Sequence, residues 1–380
     1  MRCSRQFGTI FQVSSESKQT IEHPPVGFET RKNDMQSSHS SPQPPDAKYD
    51  PNWYVHRTDE EHDAVKRLED VWTPVAIQGP EGSGKATLLA YLLEEKKKGA
   101  QNSRSVQIRL QGFSTQDFSD LDSFLRKIAR QITRQTDLAT EHEVSRIWNT
   151  KTLTPISKLS KILEKLVLPN VGLLLLSFEQ TELLQEYEWR DEFFGMMRFW
   201  VNERPPDEKK AEFWARLRLL VTVAIEPTLL ETFGAKSAFF AIAVPIRMSA
   251  FTKEQLKELA HKYGLFPDDG QLNTLLDLVG GHPGLVRIAL FKAAQGRCDI
   301  GTLLRKNDPN ELFADHLTRI EGWIKANNMQ QAVTTVLQQK PLELSVYSKL
   351  YSKGIIIRHG LEYSFVCPLL KHFIAQRFMG

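Results

Sequence analysis

Residues Gly79-Pro-Glu-Gly-Ser-Gly-Lys-Ala-Thr87 constrain this chain more than any other stretch. They follow a short apolar run, Val75-Ala-Ile-Gln78, and lead into Ala86 to Leu93, which has the pattern of a helix. A glycine-rich turn of spacing G-x-x-x-x-G-K, set between strand and helix, lets successive backbone N–H groups curl around phosphate oxygens. The helix N-terminus adds partial positive charge, and the lysine reaches the terminal phosphates. The candidate nucleotide-binding residues are therefore Gly79, Gly82, Ser83, Gly84, Lys85, Ala86 and Thr87, and the cofactor they suit is ATP.

The rest of the chain supplies a setting for such a loop. Val106 to Leu110 alternates like a strand, Val171 to Leu176 is a continuous apolar run, Leu217 to Val223 reads as another such strand, and Val244 to Met248 as a last one. Helical spacing lies between them at Phe118, Leu121, Phe124, Leu125, Ile128 and Ile132, and again at Ile156, Leu159, Ile162, Leu163 and Leu166. Strands alternating with helices predict an α/β fold, a parallel sheet with helices on both faces, over residues 51–250. Beyond Met248 the strands stop. Thr252-Lys-Glu-Gln255 is a capping box that opens a helical lid over 251–327. In 328–380 two helices and a hairpin turning at His359-Gly360 outline a winged helix.

Magnesium is the weak point. The residue after Lys85 that ordinarily ligates the ion is Ala86, and a methyl cannot; Thr87 is the substitute metal ligand, acting through a water. A phosphate-binding loop also needs an acidic pair at the end of a second buried strand. Here Leu173-Leu-Leu-Leu-Ser-Phe-Glu-Gln180 places Phe178 and Glu179 where the pair belongs. Glu179 can orient a water and is the catalytic candidate, but Phe178 offers a metal nothing. Losing both direct contacts argues for slow or absent hydrolysis.

Composition excludes several classes. The three cysteines, Cys3, Cys298 and Cys367, are far apart, which disfavours disulfides and a cysteine zinc site and makes a reducing cytoplasm the expected location. No apolar run reaches membrane-spanning length. Residues 1–50 are rich in Ser, Gln and Pro and balance six Lys/Arg against six Asp/Glu; they read as a flexible tail. The net charge of +3 is modest for a nucleic-acid coat, yet residues 331–380 alone hold six Lys/Arg against two Asp/Glu.

Taken in order, the motifs resemble the AAA-like domain of bacterial, especially cyanobacterial, signalling proteins, related to the STAND class of P-loop switch ATPases. Asp50-Pro-Asn-Trp-Tyr-Val-His-Arg57 with Glu60-Glu61 is similar to the family's motif ahead of the loop. Phe118 to Leu125 and Asp191 to Trp200 resemble its later helices, and Gly280-Gly-His-Pro-Gly-Leu-Val-Arg287 its glycine–proline lid motif. The resemblance spans about 50–375. It implies roles for Arg57 and for Pro283, the latter near base or ribose, and a nucleotide-governed closing of lid and winged helix on the core. Ala86, Phe178 and Thr222-Val-Ala-Ile-Glu226, where a polar sensor is expected, depart from the hydrolytic pattern.

Plainer roles stand beside these. Arg57 and Arg287 can be ordinary helix residues, His282 a turn residue, Lys96 to Lys98 a solvated helix end, and Phe193 to Trp200 a helix packed on the sheet. The expectation is an ATP-binding switch or scaffold acting through an unidentified protein effector, with self-association open. The rivals are a magnesium-dependent ATPase using Thr87 and Glu179, and a DNA-associated ATPase that binds through the winged helix, DNA being the less favoured partner.

Overall fold

Parallel pairing of five short strands organises the chain as far as Arg247. The structure, a computed structural model, describes residues 42–99, 101–202, 208–226, 229, 239–306 and 308–379. The strands are β1 (Val75–Gln78), β2 (Ser103–Arg109), β3 (Leu173–Glu179), β4 (Leu217–Val223) and β5 (Val244–Arg247), in the spatial order β2-β3-β4-β1-β5. Every neighbouring pair is parallel, with Gln78 opposite both Val223 and Arg247 and Phe178 opposite Val221. The carboxyl ends of β1, β3 and β4 thus open at one end of the sheet, where ligands of open α/β sheets bind.

Side-chain alternation assigns the two faces. Val75, Ile77, Leu175, Leu220 and Ile246 point to one side and pack on α1 (Thr58–Glu69) and α2 (Lys85–Gly99) through Ala64, Leu68, Leu88, Leu89 and Leu92. Ala76, Leu174, Leu176, Phe178, Leu219 and Val221 point to the other, against α3 (Leu121–Thr136) and the helices Pro155–Ile162 and Arg190–Asn202. The all-apolar runs read as strands are those buried on both faces. The aromatic helix Arg190–Asn202 buries Phe193, Phe194, Met196, Met197 and Trp200 against the sheet, as its plainer role required.

The Thr252 capping box is present and opens the helix Lys253–Lys262; helices Asp269–Val279, Pro283–Gln295 and Ala314–Ala326 follow. Helices Gln330–Leu337 and Leu344–Ser352 lead into an antiparallel hairpin, β6 (Ile356–His359) and β7 (Glu362–Phe365), and a last helix, Pro368–Phe378. The hairpin turns on Gly360-Leu361, one residue later than the sequence suggested, because Gly360 takes the left-handed φ of +64°. These later elements share one apolar core, which also takes in Val55, Val223 and Ile225 at the mouth of the sheet.

Residues 1–41 of the expected tail lie outside the described residues. Residues 42–50 are held against the later helices. The Tyr263 hydroxyl donates to the Gln43 carbonyl (2.7 Å), and the Arg287 guanidinium donates to Gln43 Oε1 (2.6 Å). Low apolar content at 42–50 concealed contacts that are made mostly through backbone carbonyls and one amide.

Candidate nucleotide site

The loop begins where β1 ends. The Gly79 N–H donates to the Val223 carbonyl (3.2 Å), continuing the β1–β4 pairing by one residue before the chain turns away. Gly82 and Gly84 then take φ of +78° and +95°, and α2 starts at Lys85. The loop wraps the Lys85 ammonium, which donates to the carbonyls of Gly79 (2.6 Å) and Pro80 (2.8 Å). Burial pushes the pKa of this lysine down, opposed by the charges of Glu182 and Glu81.

Ser83 Oγ and Gln78 Oε1 are buried here without a hydrogen-bond partner. Leaving such an atom unpaired costs about 1–3 kcal/mol, so a pair of them beside a lysine-bearing loop fits a site for a polar ligand. Thr87 is half-buried in the first turn of α2, whereas Ala86 is exposed. Among the described residues no three His, Cys, Asp or Glu side chains gather as a metal site.

The helical region after β5 meets the loop at His282. This residue caps the helix Pro283–Gln295, its Nδ1 accepting from the Leu285 N–H (3.3 Å), so Nε2 carries the proton and donates to the Glu81 carbonyl (3.1 Å). Burial holds its pKa below the ordinary histidine value. The Gly284 N–H donates to the Gly82 carbonyl (3.2 Å), and a Cβ on Gly82 would stand 2.3 Å from His282 Cε1. Pro283 is buried at the first helical position, where its fixed φ suits the turn. The sequence marked the motif but not His282 as its contact with the loop. A histidine directly before a proline at a helix start was the available signal.

The terminal segment meets the same loop from another side. The Glu81 N–H donates to the Ser352 carbonyl (2.9 Å), Lys353 Nζ lies 2.6 Å from Glu81 Oε2, and a Cβ on Gly354 would reach within 2.8 Å of the Glu81 carbonyl. Arg358 pairs with Glu226 after β4 (3.4 Å) and Lys349 with Glu186 (3.7 Å). Counting Arg377 with Glu321 (2.7 Å), four of the six Lys/Arg in 331–380 are in ion pairs within the chain.

Arg57 is buried and joins the loop to the start of the lid. Its guanidinium donates to the carbonyls of Ser249 (2.8 Å) and Ser83 (3.3 Å), lies 3.5 Å from Glu60 and covers the Phe251 ring at 4.8 Å. Burial is the largest influence on it and lowers its pKa. Arg287 turns instead to Gln43 and Pro44.

Glu179, the predicted catalytic carboxylate, accepts from Arg109 Nε (3.1 Å) on β2, the strand on the side away from β1. Phe178 is fully buried on the opposite face of β3 and meets Phe193 edge to face at 5.3 Å. Thr222, in the expected sensor segment, is used by its neighbours: its hydroxyl accepts from the Gln180 N–H (3.0 Å) and its carbonyl from the Thr181 hydroxyl (3.1 Å). A cleft of about 680 Å³ lined by Asn102, Val171 and Arg216 lies at the amino ends of β2 and β3, the wrong end of the sheet for this loop.

A parallel sheet in this order, a lysine-bearing loop after β1 and helices on both faces define a P-loop ATPase-type nucleotide-binding domain. Residues 43–376 match the AAA-like domain family, and the chain belongs to it. Its fold is similar to a Walker-type ATPase of Pyrococcus abyssi (TM-score 0.63, 14% identity, covering 87% of this chain and 98% of that one). It is also similar to the ORC2 protein of Aeropyrum pernix in ADPNP–ADP complexes (0.50, 14%, 88% and 98%). A signal transduction ATPase with numerous domains from Pyrococcus horikoshii is a more distant likeness (0.41, 14%, 89% and 44%). No curated protein matches the chain. Among the described residues no helix is long and apolar enough to cross a membrane.

Proposed function

We propose that this protein is an ATP-binding switch or scaffold of the AAA-like and STAND type, acting in bacterial signalling or defence with weak or absent hydrolysis. The observation that carries the proposal is the grip on the loop tip. Glu81 is touched at once by the lid, through His282, and by the terminal segment, through Ser352 and Lys353. A ligand that reshapes the loop therefore alters contacts to two other parts of the fold, which is what a switch requires.

In this reading 51–250 is the nucleotide core, 251–327 the lid and 328–380 a winged helix, with 1–50 preceding them. Gly79, Gly82, Ser83, Gly84 and Lys85 receive the phosphates through loop amides and ammonium. Thr87 would hold magnesium through a water. Arg57 and Pro283 shape the surroundings, and the output passes to a protein effector or a second copy in the cytoplasm. Bound magnesium would neutralise phosphate charge. The apolar residues at 86 and 178 favour binding over turnover.

Calorimetric titration with ATP and ADP, with and without magnesium, tests the proposal against Lys85→Ala. That variant removes a charge-assisted contact of about 1.5–3 kcal/mol, so affinity falls at least ~10-fold. Failure of the unmodified chain to bind either nucleotide defeats it. Steady-state magnesium-dependent hydrolysis that Lys85→Ala abolishes would establish instead the ATPase that uses Thr87 and Glu179. The DNA reading loses support from the pairing of Lys349, Lys353 and Arg358 with acidic residues near the mouth of the sheet. A flat titration with duplex DNA at low salt would remove it.

A further inference from the structure

We infer that Glu182, not Glu179, is the carboxylate of the phosphate site, and that it gives the site a preference for cation-bound over free nucleoside triphosphate. The inference rests on the nucleotide-binding reading above and assigns a residue that the family pattern does not mark in this sequence.

The argument is one of direction along the sheet. β3 is separated from the loop strand β1 by β4. At the end of β3, Glu179 leans the other way and is held by Arg109 of β2. The chain then reverses. Gln180 adopts φ +63°, its N–H is taken by Thr222, and the turn Thr181–Glu186 runs back over the end of β4. This delivers Glu182 Oε2 to the Ala224 N–H at 3.0 Å. Ala224 is one residue beyond Val223, whose carbonyl holds Gly79 at the start of the loop (3.2 Å). The Ala224 N–H and the Val223 carbonyl belong to one peptide unit at the end of β4, the strand beside β1, so Glu182 stands at the same end of the sheet as the loop, on the β3 side of that peptide.

The electrostatics agree with this placement. Burial pushes the Glu182 carboxyl pKa up, and the nearby Lys85 ammonium is the largest influence pulling it down. Glu182 is in turn the foremost charge supporting protonated Lys85. Glu81, the other carboxylate that Lys85 senses, is occupied by Lys353. A carboxylate facing a polyphosphate repels it, and a divalent cation between the charges relieves the repulsion. Removing the carboxylate charge should therefore help free ATP more than magnesium–ATP.

The test is calorimetric affinity for free ATP, with EDTA, and for magnesium–ATP, at pH 8, in the full chain and in Glu182→Gln and Glu179→Gln. Glutamine keeps an oxygen acceptor for Ala224. Expected for Glu182→Gln is a gain of roughly 10-fold in affinity for free ATP with much less change for magnesium–ATP, so the ratio of the two collapses. Glu179→Gln should keep the unmodified ratio. An unchanged ratio in Glu182→Gln, or a collapse in Glu179→Gln instead, overturns the assignment. Absence of binding by the unmodified chain overturns the nucleotide reading together with it, a different result. Should circular dichroism show Glu182→Gln unfolded, Glu182→Ala is judged by the same ratio.

Discussion

Lys353 holds its ammonium 2.6 Å from the Glu81 carboxylate, tying the end of a terminal helix to the tip of the phosphate loop. Both side chains retain contact with solvent, so the pair itself contributes only about 0–1 kcal/mol. Its consequence is positional, because the Ser352 carbonyl beside it accepts the Glu81 N–H.

Lys353→Glu should accordingly leave the denaturation midpoint nearly unchanged while accelerating exchange of a fluorescent ATP analogue. Stopped-flow release rates check this, and the charge-reversed double variant Lys353→Glu with Glu81→Lys should return them toward the original. Equal rates in all three would mean that the contact does not govern the loop.

Gly82 faces the His282 ring and accepts the Gly284 N–H at its carbonyl. Alanine there places a Cβ 2.3 Å from the His282 ring in a backbone of φ +78°. Gly82→Ala should lose about 1–3 kcal/mol from strain and displaced packing, read by urea unfolding. A loss below about 0.5 kcal/mol would contradict the lid contact.

Stability should fall between pH 6.5 and pH 4.5, above the range of ordinary carboxylates. Burial depresses His282, and burial with neighbouring His282 lowers His316 to about 4, against 6.5 for an unperturbed histidine. Their folded pKa values lie below the unfolded one, so the unfolded chain binds more protons as pH drops through 6.5. Each histidine contributes at most about 1.4 kcal/mol per pH unit in this window. Glu182, shifted upward, acts in the opposite sense. The measurement is therefore the difference between the unmodified chain and His282→Asn, whose amide oxygen can still cap the helix; the slope of the variant should be shallower.

Phe178→Asp would restore an acidic pair on paper. The side chain is fully buried on the face of β3 turned away from α2, against Phe193. The change should cost about 3 kcal/mol or more and yield no hydrolysis. Gain of magnesium-dependent turnover in a folded Phe178→Asp protein would show that the strand register in the structure is wrong.

Arg57→Ala should be severe, because the guanidinium is buried. It empties the links to Ser83, Ser249 and Glu60 and leaves Glu60 without its guanidinium. Removing one partner of such a buried pair costs about 3–5 kcal/mol. Arg57→Lys, which keeps the charge but loses the fork, should lie between the two in thermal unfolding.

The architecture was legible wherever a local pattern had one structural solution. The continuous apolar run at 173–176 and the mostly apolar segment 217–223 fit doubly covered strands, and Thr252 with Gln255 starts a helix. A glycine-rich stretch ending in Lys85 had to turn between strand and helix, and it does so with Gly82 and Gly84 at positive φ. The site was legible only in part. Phe178 and Glu179 occupy the two positions of the expected acidic pair; alternation along β3 sends them to opposite faces, and Glu179 pairs with Arg109. Glu182 escaped notice because its approach depends on Gln180 taking a positive φ and on β4 lying between β3 and β1, neither of which a linear motif records.

The same division applies to charge. The sequence by itself determined the phosphate loop, its strand and helix, and a basic terminal segment, since these depend on spacing and composition along the chain. Only the tertiary structure decided that this basic segment pairs Lys349, Lys353 and Arg358 with Glu186, Glu81 and Glu226. Ion pairs between residues more than a hundred positions apart form through the packing of the shared core between them. That packing, rather than local spacing, brings the lid and the terminal helix to the loop.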